Sequence, residues 1–450
     1  TTSKTQFDVL TYTGNGGTNV VGGAVYSDTT DSGFANKQYI FDGVDNQAGY
    51  YNGTGTDNTI TTAPITINTQ LRVYNNFRSD GTYAICLNGT CVTVAGSGTN
   101  SANYRWSTVD LSGFTLPLTV TSLGYSNSQN SGNSIAKIEV DGTVLLDGDG
   151  GPGLKFQPDL VWLKSRSNNY DHELYDSVRG ATKRIYSNAT DAEATFTNGL
   201  TSFDSSGFTV GSRTNVNANN ATYVAWCWKA GGTAVSNTDG SITSSVSANA
   251  AYGFSIATYT GTGSGTQSVG HGLSSVPALV ITKSRGATGS WRVFADIGGT
   301  YKIGNLNNTD AFANASVSAP TSSVFNVDGN SNASTTHVAY CFANVPGYQR
   351  VGVYSGNGSS TGPVIVTGFK PRWILFKSTG SGSWVINDTQ RDTDSANAKG
   401  LKPNAADAET DIVTIDVLDN GFQLKGTAAN TNGQEYLYMA IGDDEIGSDE

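Results

Sequence analysis

What this sequence has little of narrows it first. Methionine occurs once, and only 14% of the 450 residues are charged. Leu, Glu and Lys, which fill helix interiors, are scarce beside Gly, Ser, Thr and Asn, so long helices are not expected. No apolar run approaches the roughly 18 residues a membrane helix needs, so no membrane insertion is expected. Lys and Arg never cluster, and the formal charge is −11. A nucleic-acid partner would need a basic face, so none is expected; the acidity reads as a solubility device. The three histidines, His172, His271 and His337, are far apart and none has a zinc spacing. There is no Gly-x-Ser-x-Gly elbow. Gly-rich runs such as Gly261–Gly265 are not followed by a helix that could hold phosphate, so they read as hairpin turns. No enzyme, metal or cofactor follows from these patterns. The sequence begins at Thr1 with no signal-peptide pattern, as expected of a chain that is processed, trimmed or a fragment.

What is present is strand material. Val, Ile, Thr, Tyr, Phe and Trp recur in short runs between Gly/Asn/Ser clusters, the signature of many strands joined by tight turns. Trp 7, Tyr 21 and Phe 17 are too many aromatics for a disordered Gly/Ser-rich chain. An all-β fold is expected.

A repeat organises the chain. A Tyr followed by a Gly turn opens each copy, at Tyr12-Thr13-Gly14, Tyr259-Thr260-Gly261 and Tyr354-Ser355-Gly356. A Pro then leads an apolar strand, beginning at Pro158, Pro277 and Pro371, with Lys164, Lys283 and Lys377 six residues on. An acidic residue follows, Asp176, Asp296 or Asp388, read as one repeated position that caps a turn. A hairpin strand comes next, at Gly207–Val210, Val324–Val327 and Gly421–Leu424. The copies end in strands at Tyr223–Trp228, His337–Phe342 and Tyr436–Ile441, apolar on both faces. Such a strand suits the middle of a packed sheet, or one covered by the next module. His337 stands where Tyr223 and Tyr436 do, so it reads as a strand residue.

The interval from Tyr to Pro is 18 and 17 residues in copies two and three but 146 in copy one. A domain is therefore inserted there, as exposed loops allow. Module one is 1–20 plus 150–232, split by an inserted jelly-roll domain over 21–149. Residues 233–249 read as a linker, 250–346 as module two, 347–443 as module three, and 444–450 as an acidic tail. Strands every 8–12 residues suggest β-sandwiches or jelly rolls, stacked as a rod or a compact triangle.

Several residues are candidates for chemistry. Cys86 and Cys91 flank Asn88-Gly89, a type I′ turn signal, and would face each other across a hairpin, as a disulfide or as two strand thiols. Cys227 and Cys341 read as buried core residues. Tyr50, Tyr51, Asn52, Tyr104, Trp106 and Tyr125 lie in the insertion among Gly, Ser and Asn. Flat rings beside amides suit sugar rings; the same residues would also serve as core. Asp147-Gly148-Asp149-Gly150-Gly151 is a fragment of a calcium loop, better read as a junction turn. A depolymerase would need two carboxylates about 5–9.5 Å apart in a cleft.

Phe156–Arg166, Asp171–Gly180 and Tyr223–Gly232 resemble a repeated domain of uncharacterised function common in structural proteins of marine tailed phages, including cyanophages. Phe41-Asp42-Gly43 and Ile138–Gly148 are similar to discoidin-like, galactose-binding-like jelly rolls found in the same proteins. The resemblance implies a virion-surface or extracellular location in a tail fibre, spike or capsid-surface component, with other virion proteins as partners. It also implies a host surface glycan as ligand and, for a fibre, a homotrimer. The alternatives are a capsid decoration protein without a ligand and a polysaccharide depolymerase.

Overall fold

The computed structural model describes residues 6–21, 34–35, 49–51, 58–67, 69–75, 83–94, 105–127, 134–140, 143–144, 154, 156–205, 207–392 and 397–442. The described chain is all-β, and every strand ladder is antiparallel. Each module repeats one sheet order. The Tyr-led strand (Phe7–Thr13, Phe254–Thr260, Gln349–Ser355) pairs with the final strand (Thr222–Trp228, Thr336–Ala343, Glu435–Gly442). The final strand pairs in turn with the Pro-led strand (Leu160–Ser165, Pro277–Ser284, Pro371–Ser378). Across each core lies a second sheet containing Gly207–Val210, Val324–Val327 or Gly421–Lys425.

The Gly turn after each Tyr-led strand is built from three repeated parts. The hydroxyls of Tyr12, Tyr259 and Tyr354 donate to the carbonyls of Val216, Ser331 and Ala429. The Oδ1 atoms of Asn217, Asn332 and Asn430 accept from the backbone N–H groups of Asn15, Thr262 and Asn357 at 2.8–2.9 Å. A Cβ on Gly14, Gly261 or Gly356 would collide with the carbonyl oxygen of Ala218, Ala333 or Thr431. Backbone rather than a mobile side chain blocks that space. Gly261→Ala is therefore expected to cost about 1–3 kcal/mol, as overpacking does. Gly289→Ala, whose new Cβ would meet Ser284 at an ordinary 3.7 Å, is the neutral control. Urea midpoints of the two variants check this.

The final strands are buried on both faces because each serves two cores. Tyr223, Ala225 and Cys227 face the core of module one, while Val224, Trp226 and Trp228 face a core shared by all three modules. Val338, Tyr340 and Phe342 of module two and Leu437, Met439 and Ile441 of module three enter the same shared core. A cavity of about 10 Å³ remains there, lined by Trp228, Tyr340, Trp373 and Met439 among others. Its lining is apolar and its size marginal for a water, so it is dry.

The modules therefore close a ring, the triangular alternative to a rod. Three equivalent backbone hydrogen bonds carry it round: Glu193 to Arg285, Phe312 to Thr379, and Glu409 to Arg166. Module one donates to two, two to three, and three to one.

Residues 233–249 are not a free linker: Val235–Asn237 and Ser244–Asn249 pair as strands at the edge of module two's sheet. Ser244 and Val246 point inward there, Val246 into the core of module two and Ser244 with its Oγ donating to the Gly270 carbonyl. Asp296 is not equivalent to Asp176 and Asp388. Leu160 and Trp373 face those two acids across their hairpins, whereas Leu279 faces Ala295. Asp296 is exposed and caps its turn through the Gly299 N–H.

The insertion is a separate sandwich. Asn58–Ile67, Leu118–Asn127, Tyr83–Leu87 and Thr90–Val94 form one sheet; Gly49–Tyr51, Ser134–Val140, Leu71–Asn75 and Arg105–Val109 lie in the other. Ile67, Ile85, Val120 and Leu123 of the first meet Leu71, Val73, Val109 and Ile138 of the second in a core of their own. Module one keeps one residue more than expected, since Val21 still pairs with Phe208. The 444–450 tail and the Asp147–Gly151 segment lie outside the described residues.

Candidate functional site

In the insertion, Tyr50 and Tyr51 lie on Gly49–Tyr51, and Trp106 lies opposite Tyr74 on Arg105–Val109, all in one sheet. Tyr125 lies in the facing sheet, between Asn58 and Ile85. The backbone thus splits these four candidates across the sandwich. Asn52 and Tyr104 lie outside the described residues. Cys86 and Cys91 are directly opposed, their Cα atoms 3.8 Å apart, and are disulfide-bonded. Asn88 and Gly89 take the positive φ of 50° and 83° that this turn requires. Cys227 and Cys341 are buried thiols, each facing its module's core.

Carboxylates gather at the seams between modules. Between one and two, Asp176 accepts from Arg179 at 2.5 Å and from the Tyr340 hydroxyl at 2.7 Å. Glu193 bridges Arg179 and Arg285. Between three and one, Asp388 accepts from Arg391 at 2.6 Å and from Trp226 Nε1 at 2.9 Å. Glu409 bridges Arg391 and Arg166. These acids are committed to guanidinium groups, a positioning role rather than acid–base chemistry. At the third seam the equivalent places hold Ala295, Gly298, Phe312, Thr379 and Met439, so apolar packing replaces the ion cluster.

The histidines are structural. His337 stacks on Tyr259 at 5.0 Å, as Tyr223 stacks on Tyr12 at 5.1 Å and Tyr436 on Tyr354 at 5.0 Å. His172 occupies the place of Trp291 and Trp384, whose Nε1 atoms donate across the other seams to the carbonyls of Tyr186 and Asn305. His172 Nδ1 accepts from Trp162 Nε1 at 3.0 Å. Its Nε2 faces the Lys402 carbonyl without closing a full hydrogen bond.

Burial sets the titration of these groups. It pushes His172 well below the usual imidazole value, and lowers His271 and His337. It pushes Lys164, Lys283 and Lys377 down to about 8. Carbonyl oxygens, such as those of Ser165 and Asn168 around Lys164 Nζ, cradle the ammonium groups. Burial raises Tyr12, Tyr259 and Tyr354 well above 10. The signs follow from linkage. The imidazoles, depressed from 6.5, give stability that is present above 6.5 and lost as pH falls. The lysines, depressed from 10.5, make stability rise between about 8 and 10.5. The tyrosines, raised from 10.0, make it fall above 10. Thermal midpoints are expected to be highest between about pH 8 and 10, far above the sequence pI of 4.7. A midpoint falling steadily from pH 7 to 10 contradicts this.

One cluster escaped the sequence reading. In module one, the Arg184 guanidinium lies 3.4 Å from the Tyr186 ring centroid and 4.8 Å from that of Phe196. Arg213 lies 3.7 Å from the Phe196 centroid. Arg213 pairs with Glu173 at 2.8 Å and donates to the Tyr186 hydroxyl at 2.8 Å. Glu173 is taken up further by the Tyr175 hydroxyl at 2.6 Å. No sequence signal marks the group, because strand and loop partners far apart in number assemble it.

Fold and seams define an all-β repeat protein whose three modules form a ring around one core, with a fourth β-domain inserted. Residues 142–444 match the family described as a domain of unknown function (DUF7483), and the chain belongs to that family. No curated protein and no solved structure matches it.

Proposed function

We propose that this chain is a phage virion structural protein, a tail-fibre, spike or capsid-surface component, whose ring is a rigid scaffold and whose insertion contacts a host surface glycan. The observation that carries the reading is the division of cores. Three modules share one interior, so they hold their positions rigidly, while the insertion, carried in the chain between Val21 and Leu154, has a core of its own. A body built this way presents one domain and resists unfolding at the surface of a particle. Other virion proteins are its expected neighbours. The test is binding of the full chain, and of the chain lacking residues 24–149, to host envelope polysaccharide. Binding by the first and not the second supports the reading; equal binding by both refutes it.

A capsid decoration protein without a ligand is the second reading, favoured by ring closure. A threefold arrangement completed within one chain needs no homotrimer to bury its apolar faces. The mass of the purified protein by light scattering discriminates: a trimer favours a fibre, a monomer favours decoration.

A further inference from the structure

Arg184 is buried, retaining 6% exposure, and its Nε and Nη1 have no hydrogen-bond partner. A buried cation without an anion is costly, and stacking on aromatic rings offsets only part of that cost. The chain carries a net charge of −11, so carboxylates are plentiful, yet among the described residues none pairs with this guanidinium. The nearby Glu173 already holds Arg213 and the Tyr175 hydroxyl.

The scaffold does not need an arginine here. The strand pairs Leu174–Ile185, Val293–Gly304 and Ile386–Leu401 align the three modules. In that alignment Arg184 corresponds to Ile303 and Gly400, and Tyr186 to Asn305 and Lys402. The pairs Arg184–Ala194 and Ile303–Ala313 fix the same register one strand further out. Module two thus builds the same hairpin with an isoleucine and module three with a glycine. The cation and its two rings belong to module one alone.

We propose that Arg184 anchors an anion subsite on module one that takes one oxyanion, a carboxylate or phosphate monoester, carried by an acidic surface polymer. Nη2, the one guanidinium nitrogen that is not among the sealed and unpartnered atoms, donates to the oxyanion. Tyr186 and Phe196 hold the guanidinium plane in place, and Arg213 packs on the Phe196 ring beside it. A preset guanidinium loses little freedom on binding, which favours oxyanion recognition. The choice of a polymer as carrier rests on the proposed function; the anion site itself does not, since it lies outside the insertion.

The experiment titrates the full chain with trigalacturonate, glycerol phosphate and neutral maltotriose by calorimetry. The ionic strength is about 0.15 M, where the acidic surface is screened beyond about 8 Å. One or both acidic ligands are expected to bind and maltotriose not to. Which acidic ligand binds tells carboxylate from phosphate. Arg184→Ile, which copies module two, is expected to weaken binding by about tenfold or more, the loss of one charge-assisted hydrogen bond. Its thermal midpoint should not fall. Should that variant fail to fold, Arg184→Met, which keeps an unbranched stem over Tyr186, takes its place. Undiminished binding by the variant, or no binding of either acidic ligand to the native chain, overturns the proposal. The chain lacking residues 24–149 separates the two ideas. It is expected to keep Arg184-dependent binding of the small anion whether or not it has lost envelope polysaccharide.

Discussion

Asp388→Ala is expected to destabilise the ring by about 3–5 kcal/mol, because it takes from the buried Arg391 guanidinium the carboxylate that receives its Nε–H and leaves Glu409 alone to balance the charge. Arg391 is fully buried and donates to Asp388, to Glu409 and to the Ile386 carbonyl. Trp226 Nε1 also loses its acceptor, adding an orphaned buried donor. The double variant Asp388→Ala/Arg391→Met should recover most of the loss, since it removes charge and countercharge together. The molecule already contains this exchange. At the seam between modules two and three, Ala295 stands where Asp388 does and Gly298 where Arg391 does. Glu409 keeps its pairing with Arg166 at 2.9 Å in the double variant, so no new unpaired acid arises. Urea denaturation of the native chain, the two single variants and the double variant closes the cycle. A double variant as unstable as Asp388→Ala alone would show that the seam needs the ion pair itself.

The repeat was legible because its signals are local. A Pro-led apolar strand and a final strand apolar on both faces stand out in any window. The two-faced final strand even implied that something covers it, and the shared core is that cover. The Tyr-Gly turn was visible too, but not its clamp. Asn217, Asn332 and Asn430 each precede a final strand by four or five residues, and the abundance of Asn hides them. Counting residues from the lysine misplaced Asp296 by one, because only strand pairing reveals that Ala295 takes the inward place. Composition misled at 233–249, where Ser and Gly suggested a flexible linker although Ser244–Asn249 is a strand that puts Ser244 and Val246 inward. Partners across seams were not legible at all. Trp226 and Asp388 are 162 residues apart, and nothing in either neighbourhood names the other. For the same reason the sequence grouped Tyr50, Tyr51, Trp106 and Tyr125 as one candidate surface. Non-consecutive strand order puts Tyr125 in the opposite sheet.

The ring and the insertion should also unfold as separate units, since their cores are distinct. Trp228 is where the ring is most exposed to this test. Its ring meets Phe7 of its own module at 4.8 Å, Phe342 of module two at 6.4 Å and Trp373 of module three at 5.6 Å. Trp228→Ala removes a fully buried side chain at the meeting point of all three modules and is expected to cost about 3–5 kcal/mol. Trp228→Phe should cost far less. Phe342 fills the same place in module two, and the Trp228 Nε1 has no hydrogen-bond partner to lose. By calorimetry, the alanine variant should lower one transition, that of the whole ring, and leave the insertion's transition in place. Three separate transitions for the three modules would mean that the shared core does not couple them. A joint shift of ring and insertion would mean that the inserted domain draws its stability from the scaffold rather than from its own core.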